Sequence, residues 1–222
     1  MAVLISRIRI AGTPSTVPIE IEPCALRDVQ LWHRDIHLKF IAPKGGIGSN
    51  WDWPAIFLGS GVTEAMSGRV PLTFQIRVEA PNGMAVPVAQ ALFSFPYSYP
   101  GNAKGRNPHE KCVFIWFIAA TPIEALNFYG IKHKFAVMAP LLDTAIQISL
   151  TQGLEGRIGL HAAAGKTSEE SAELAARYAK QELLQRGKSI GFFRPFRWED
   201  GRLFYFDPAG ALAYAAKQDD LR

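Results

Sequence analysis

Cys112-Val113-Phe114-Ile115-Trp116-Phe117-Ile118-Ala119-Ala120 is an uncharged apolar run, and Arg157-Ile158-Gly159-Leu160-His161-Ala162 is a second, shorter strand pattern some forty residues on. The length of the first run, and its β-branched and aromatic content, predict a strand buried on both faces. Between the two lie a turn-like segment at 121–130, a basic patch Lys132-His133-Lys134, and a helix over 140–151. In that helix Leu141, Leu142, Ala145, Ile146 and Ser149 form one stripe. Pro140 falls in its first turn, where a missing N–H costs nothing, and Gly153 is placed to end it in a left-handed conformation. A strand–turn–helix–strand unit aims the unpaired N–H groups of the helix start at whatever lies beyond the first strand. An anion site near residues 132–140 is therefore expected.

Upstream, residues 70–79 and 86–95 are two strand patterns joined by Ala80-Pro81-Asn82-Gly83, whose Asn-Gly is the strongest hairpin signal in the chain. Residues 96–109 form a long polar loop, the kind that is either functional or disordered. Downstream, Thr167 and Glu170 have capping-box spacing, and the helix they open is expected to continue through Leu174, Tyr178, Leu183 and Leu184 to Gly187. Residues 192–198 and 202–206 read as a terminal hairpin about Glu199-Asp200-Gly201, and residues 209–217 as a closing helix.

The N-terminal part is less legible. Residues 3–10 read as a strand and residues 19–22 as a short half-exposed one. Residues 28–40 fit either a helix or two strands meeting near His33. His33 and His37 have metal spacing at i, i+4, but no third ligand accompanies them, so they read as solvated or core histidines. Pro43-Lys44-Gly45-Gly46-Ile47-Gly48-Ser49-Asn50 lacks the Gly-Lys-Ser/Thr of a phosphate loop and reads as a connection. Ser49 or Asn50 is expected to cap a helix running from Trp51 to about Leu58, with Trp51 and Trp53 anchoring it.

The 222 residues carry a formal charge of +4 and 48% hydrophobic residues, the profile of an ordinary globular chain without a nucleic-acid footprint. Cys24 and Cys112 lie far apart and read as reduced core thiols. Met1 to Arg7 lacks the apolar core of a signal peptide, and no segment is long and apolar enough to span a bilayer, so a cytoplasmic location is expected.

The order of apolar strand, basic turn, helix and Glu155-Gly156-Arg157-Ile158-Gly159-Leu160-His161-Ala162 resembles the GNAT superfamily of N-acyltransferases. Gly201-Arg202-Leu203-Phe204-Tyr205-Phe206-Asp207-Pro208 resembles the final strand of one bacterial subgroup. The resemblance covers residues 70–215 and is poor over 1–69. It implies one α/β domain across residues 1–222, with a mostly antiparallel sheet, one central parallel strand pair and flanking helices. It also implies an acyl-CoA-dependent transferase, with acetyl-CoA or another acyl-CoA as donor and a small-molecule or protein amine as acceptor. Residue spacing, segment lengths and charge lead to an expectation of no metal, no membrane and no nucleic acid, and the resemblance allows a homodimer.

The superfamily's turn signature is Arg/Gln-x-x-Gly-x-Gly/Ala. Its three positions fall here on His133, Ala136 and Met138, so both glycines are absent. Backbone donors survive substitution, and weakened pyrophosphate binding is the expectation. The implied donor contacts are Ile118, Ala119 and Ala120 for the pantetheine arm, Lys132, His133 and Lys134 for charge, and the backbone of Ala136, Val137, Met138 and Ala139. Candidate catalytic groups are Glu124 as base, His161 as base or structural hydrogen-bonder, and Tyr178 as acid or core residue. A V-shaped gap is expected near Ala120 and His161. The alternative is a GNAT-fold binding protein that has lost catalysis and normal CoA binding.

Overall fold

The computed structural model describes residues 4–102, 109–163, 165, 167–185 and 201–222. The chain opens with β1 (Arg7–Arg9), β2 (Thr16–Pro18) and β3 (Glu20–Pro23), then α1 (Leu26–Trp32), a π-helical stretch (His33–Ile41) and α2 (Trp53–Met66). The middle is β4 (Val70–Glu79), β5 (Ala85–Ser98), β6 (Lys111–Ala120), α3 (Ile123–Phe128) and α4 (Met138–Thr151). The last part is β7 (Ile158–His161), α5 (Ser168–Lys180), β8 (Leu184–Gln185), β9 (Leu203–Phe206) and α6 (Pro208–Ala216). Seven strands form one sheet in the order β3-β4-β5-β6-β7-β9-β8, and β6–β7 is its parallel pair. The expected mixed sheet, mostly antiparallel with one central parallel pair, is the one observed.

The hairpin at Asn82-Gly83 forms, with Gly83 at φ 78°. Gly153 takes φ 70°, ending α4 as expected. In β7, Gly159 has a backbone any residue could adopt, but a Cβ there would come within 2.6 Å of Pro100 and 3.0 Å of Phe114. The strand keeps glycine to let the 99–101 segment lie against it. The main core packs α4 on the sheet through Leu141, Leu142, Ala145 and Ile146, all fully buried. A separate small cluster, Val29, Trp32, Ile36, Trp53 and Ala125, holds α1, the π-helical stretch and α2 to the sheet's other elements.

Several expectations are corrected. The segment at 121–130 contains α3 rather than only a turn, and α4 starts at Met138, not Pro140. Residues 28–40 are helical throughout, with a π-helical register from His33. The helix after the glycine loop extends to Met66, and its cap is Asp52, whose Oδ1 accepts the Ala55 N–H at 3.1 Å. Aspartate at this position leaves Ser49 free for another task. Thr167 does cap α5, its Oγ1 accepting the Glu170 N–H at 3.2 Å. That helix stops at Lys180, however, because Glu182 turns into the left-handed region at φ 64°. Leu184 then enters a strand and pairs with Tyr205. The expected strand at 192–198 and most of the 96–109 loop tip, at 103–108, lie outside the described residues.

Candidate functional site

The parallel ladder between β6 and β7 ends early. Val113 faces Ile158, Phe114 faces Gly159 and Ile115 faces Leu160, and no later pair follows. β6 continues to Ala120 while β7 turns away to pair His161 with Leu203 on β9. The gap expected near Ala120 thus opens at Trp116. Beyond Ile115 the β7-facing edge of β6 has no strand beside it among the described residues. Exposed strand edges bind extended chains by completing the hydrogen-bond ladder.

A cleft of about 460 Å³ occupies this opening. Ile118, Ala119 and Ala120 line it from β6, Val137 and Met138 from the start of α4, and Leu174, Arg177 and Tyr178 from α5. The N-terminal part contributes His37, Phe40, Ile41, Lys44, Gly48 and Trp51, among others. The size suits a small-molecule site.

The turn before α4 is built differently from expectation. Residues 10–11 lie against it as an isolated antiparallel bridge between Ile10 and Phe135. The Arg9 carbonyl accepts the Ala136 N–H at 3.0 Å, and the Lys134 carbonyl accepts the Ala11 N–H at 2.8 Å. The expected phosphate donor at Ala136 is therefore occupied. The N–H groups of Val137, Met138 and Ala139 have no partner among the described residues, which leaves α4 a positive N-terminal end beside the β6 edge. Lys132 and Lys134 are exposed, and His133 sits edge-on to Phe135 at 4.9 Å. These residues fit an anionic group through three amides plus mobile cations, without the close backbone cradle that glycines would give.

The three candidate catalytic residues are separated. Tyr178 lines the cleft, is 8% exposed and packs edge-on to Phe204, and burial pushes its phenol up to about 12. It stays protonated at neutral pH. Glu124 does not line the cleft. It pairs with Lys44 at 2.6 Å, and that hydrogen bond holds its carboxyl below the usual range. His161 closes β7 and is not among the described residues lining the cleft. Burial pushes the Cys24 thiol up to about 12 and raises that of Cys112 as well, so both remain unreactive thiols.

His37 and the glycine loop are the residues sequence reasoning assigned elsewhere. His37 is 2% exposed, and its Nε2–H points at the Ser49 carbonyl at 3.2 Å, tying the π-helical stretch to the loop at the cleft. Burial lowers its pKa, the nearby His33 adds to that, and the Ser49 contact and Asp52 oppose it. The ring is neutral. His33 stacks on it at 5.0 Å, a ring-on-ring contact rather than a convergence on an ion. The glycines of the loop, read alone, carried no signal for this role; the spacing of His37 to Ser49 was visible only once the helix was folded.

No protein-family model and no curated relative matches the chain. Among solved structures it is similar to apo FdhC, a nucleotide-linked sugar GNAT, at a TM-score of 0.50 and 8% identity, covering 100% of this chain and 98% of that one. It is also similar to KacT at a TM-score of 0.48 and 10% identity, covering 88% and 98% of the two chains. For the SpeG spermidine N-acetyltransferase from Vibrio cholerae the values are 0.47 and 14%, covering 87% and 96%. The chain has the GNAT fold. Within that GNAT fold, β6 and β7 are the splayed pair, and the unusual part is the turn at 133–138, crossed by the segment after β1. Among the described residues no helix is long and apolar enough to cross a membrane.

Proposed function

We infer that the protein is an N-acyltransferase that moves an acyl group from acyl-CoA, with acetyl-CoA the simplest donor, to an amine. The observation that carries this reading is the unpartnered β6 edge beyond Ile115 opening into a cleft that Tyr178 lines. The pantetheine arm lies along Ile118, Ala119 and Ala120 as an added strand. The amides of Val137, Met138 and Ala139 take the pyrophosphate, with Lys132 and Lys134 adding charge. The amine nitrogen attacks the thioester carbonyl and loses its proton to water. The tetrahedral intermediate then expels a thiolate as the C–S bond breaks, the Tyr178 hydroxyl protonates it, and the phenolate regains a proton from water. Burial keeps the phenol protonated at neutral pH, the form this step requires. Glu124, paired to Lys44, acts on the cleft only through that lysine. The cytoplasmic location expected from the sequence is compatible with such a donor.

A second reading, a GNAT-fold binding protein without catalysis, is favoured by one observation: the Arg9 carbonyl occupies the Ala136 amide, and Met138 lines the cleft where a glycine would leave room. A thermal melt with millimolar acetyl-CoA separates the two, since a ligand bound only to the native state raises Tm. Protection, strengthened in Met138→Gly, supports the transferase. No shift in either protein leaves the second reading standing.

A further inference from the structure

The charge inventory of the cleft bears on the acceptor. Among the described lining residues are the cations Lys44 and Arg177, and no aspartate or glutamate. Each cation is paired with a carboxylate that does not line the cleft: Lys44 with Glu124 at 2.6 Å, and Arg177 with Glu173 at 2.5 Å. All four side chains are at least half exposed, and pairs so exposed are weakly held. Either cation can therefore exchange its protein carboxylate for an anion on a ligand.

A polycationic amine would meet two cations in the wall and no carboxylate that is not already paired with one of them. The N-terminal wall is aromatic as well. Phe40 and Trp51 are half-buried lining residues, and Trp51 is fixed by edge contacts to Phe117 at 5.0 Å and Trp53 at 5.8 Å. A ring held this way offers a rigid apolar surface. Lys44 belongs to the same loop as Gly45 and Gly48 and leads into Trp51, whereas Arg177 sits beside Tyr178 on α5. Of the two lining cations, Lys44 is therefore the one closer in the chain to Phe40 and Trp51.

Resting on the acyl-transfer reading, we propose that the acceptor is a primary amine on an aromatic body that also carries an anionic group. The ring lies against Trp51 and Phe40, and Lys44 draws the anion, releasing Glu124. The same loop is held at its far end by His37 through the Ser49 carbonyl, so the acceptor wall is anchored independently of the donor turn.

Intrinsic tryptophan fluorescence, read without acyl-CoA, tests this with matched pairs that differ only by the anion. The probes are phenylalanine against phenethylamine, and pyridoxamine 5′-phosphate against pyridoxamine, with spermidine as the polycation. The expected result is at least about tenfold tighter binding of the anionic member in one pair or both, with spermidine weakest. A preference confined to one pair supports the proposal and identifies the anion as carboxylate or as phosphate. Lys44→Ala should bring the preferred pair's ratio close to one, and Lys44→Arg should restore it, each variant melting like the parent. Equal binding within both pairs, tighter spermidine binding, or an undiminished ratio in Lys44→Ala overturns the proposal. The acetyl-CoA melt stands apart from this. Its failure alongside an intact anion preference removes acyl transfer and leaves the ligand class, and its success without any preference does the reverse.

Discussion

Residues 26–66 and residues 111–161 line the same cleft but are held in place by different means. The second group belongs to the main core, where β6, α4 and β7 bury Val113, Ile115, Leu141, Leu142, Ile146, Ile158 and Leu160. The first rests on a small cluster built around Val29, Trp32, Ile36 and Trp53. That cluster also contains or adjoins most of the buried unpartnered polar side-chain atoms among the described residues: Trp32 Nε1, Trp53 Nε1, His33 Nδ1 and His37 Nδ1. A buried group without a partner costs roughly 1–3 kcal/mol. The β6–α4–β7 side is thus assembled from close apolar packing. The side built from residues 26–66 instead carries buried polar atoms without a partner among the described residues, of which only His37 Nδ1 belongs to a cleft-lining residue.

The largest effect should come from the core side. Asp143 on α4 is fully buried and accepts a fork of hydrogen bonds from Arg222 at 2.7 and 2.9 Å. Asp143→Ala would remove both bonds of the fork, leaving Arg222 with Asp219 at 3.0 Å and the Ala215 carbonyl at 3.3 Å, and should cost about 3 kcal/mol in urea unfolding. A loss under about 1 kcal/mol would mean that this half is no firmer than the other.

Tyr178→Phe should sharpen the division of labour across the cleft. It removes the proposed acid while keeping the packing on Phe204. We expect kcat to fall by about 10²-fold or more, within the usual range for a positioned acid, with acyl-CoA affinity and Tm nearly unchanged. Unchanged kcat would return Tyr178 to the core.

The acceptor side should instead respond to pH. His37 is held below its ordinary value in the folded protein by burial, so it is neutral there, while the unfolded chain takes up a proton near pH 6.5. Its stability contribution is present above that pH and is lost as pH falls below it, down to the folded-state value. The charged neighbours that shape this are His33, which opposes protonation, and Asp52, which favours it. Unfolding free energies measured from pH 8 to 5 should fall less steeply in His37→Phe than in the parent. Identical slopes would remove His37 as the source.

The smallest effect is local to the far side of the cleft. Thr167→Ala removes the cap of α5 and should cost about 1 kcal/mol, because the Glu170 N–H loses its acceptor. A larger loss, with reduced ligand binding, would show that α5 is as finely balanced as the acceptor wall.

The sequence by itself determined the parts governed by local rules. The apolar run ending in Ala119-Ala120, the Asn82-Gly83 turn, the Thr167 cap and the Gly153 stop each need only a few neighbouring residues to act, and their types dictate the outcome. The mixed sheet with one parallel pair was what the resemblance to the GNAT superfamily implied. Tertiary structure alone decided the rest, because those features depend on residues far apart in the chain. The end of β6–β7 pairing at Ile115 is set by where β9 captures β7. The Ala136 amide is taken by Arg9, more than a hundred residues away, through a bridge no turn signature encodes. Lys44 meets Glu124, and His37 meets Ser49, only after a π-helical turn redirects residues whose periodicity fitted two structures equally well. Backbone conformation is chosen locally, whereas a site is made by whichever distant groups packing brings within hydrogen-bond reach.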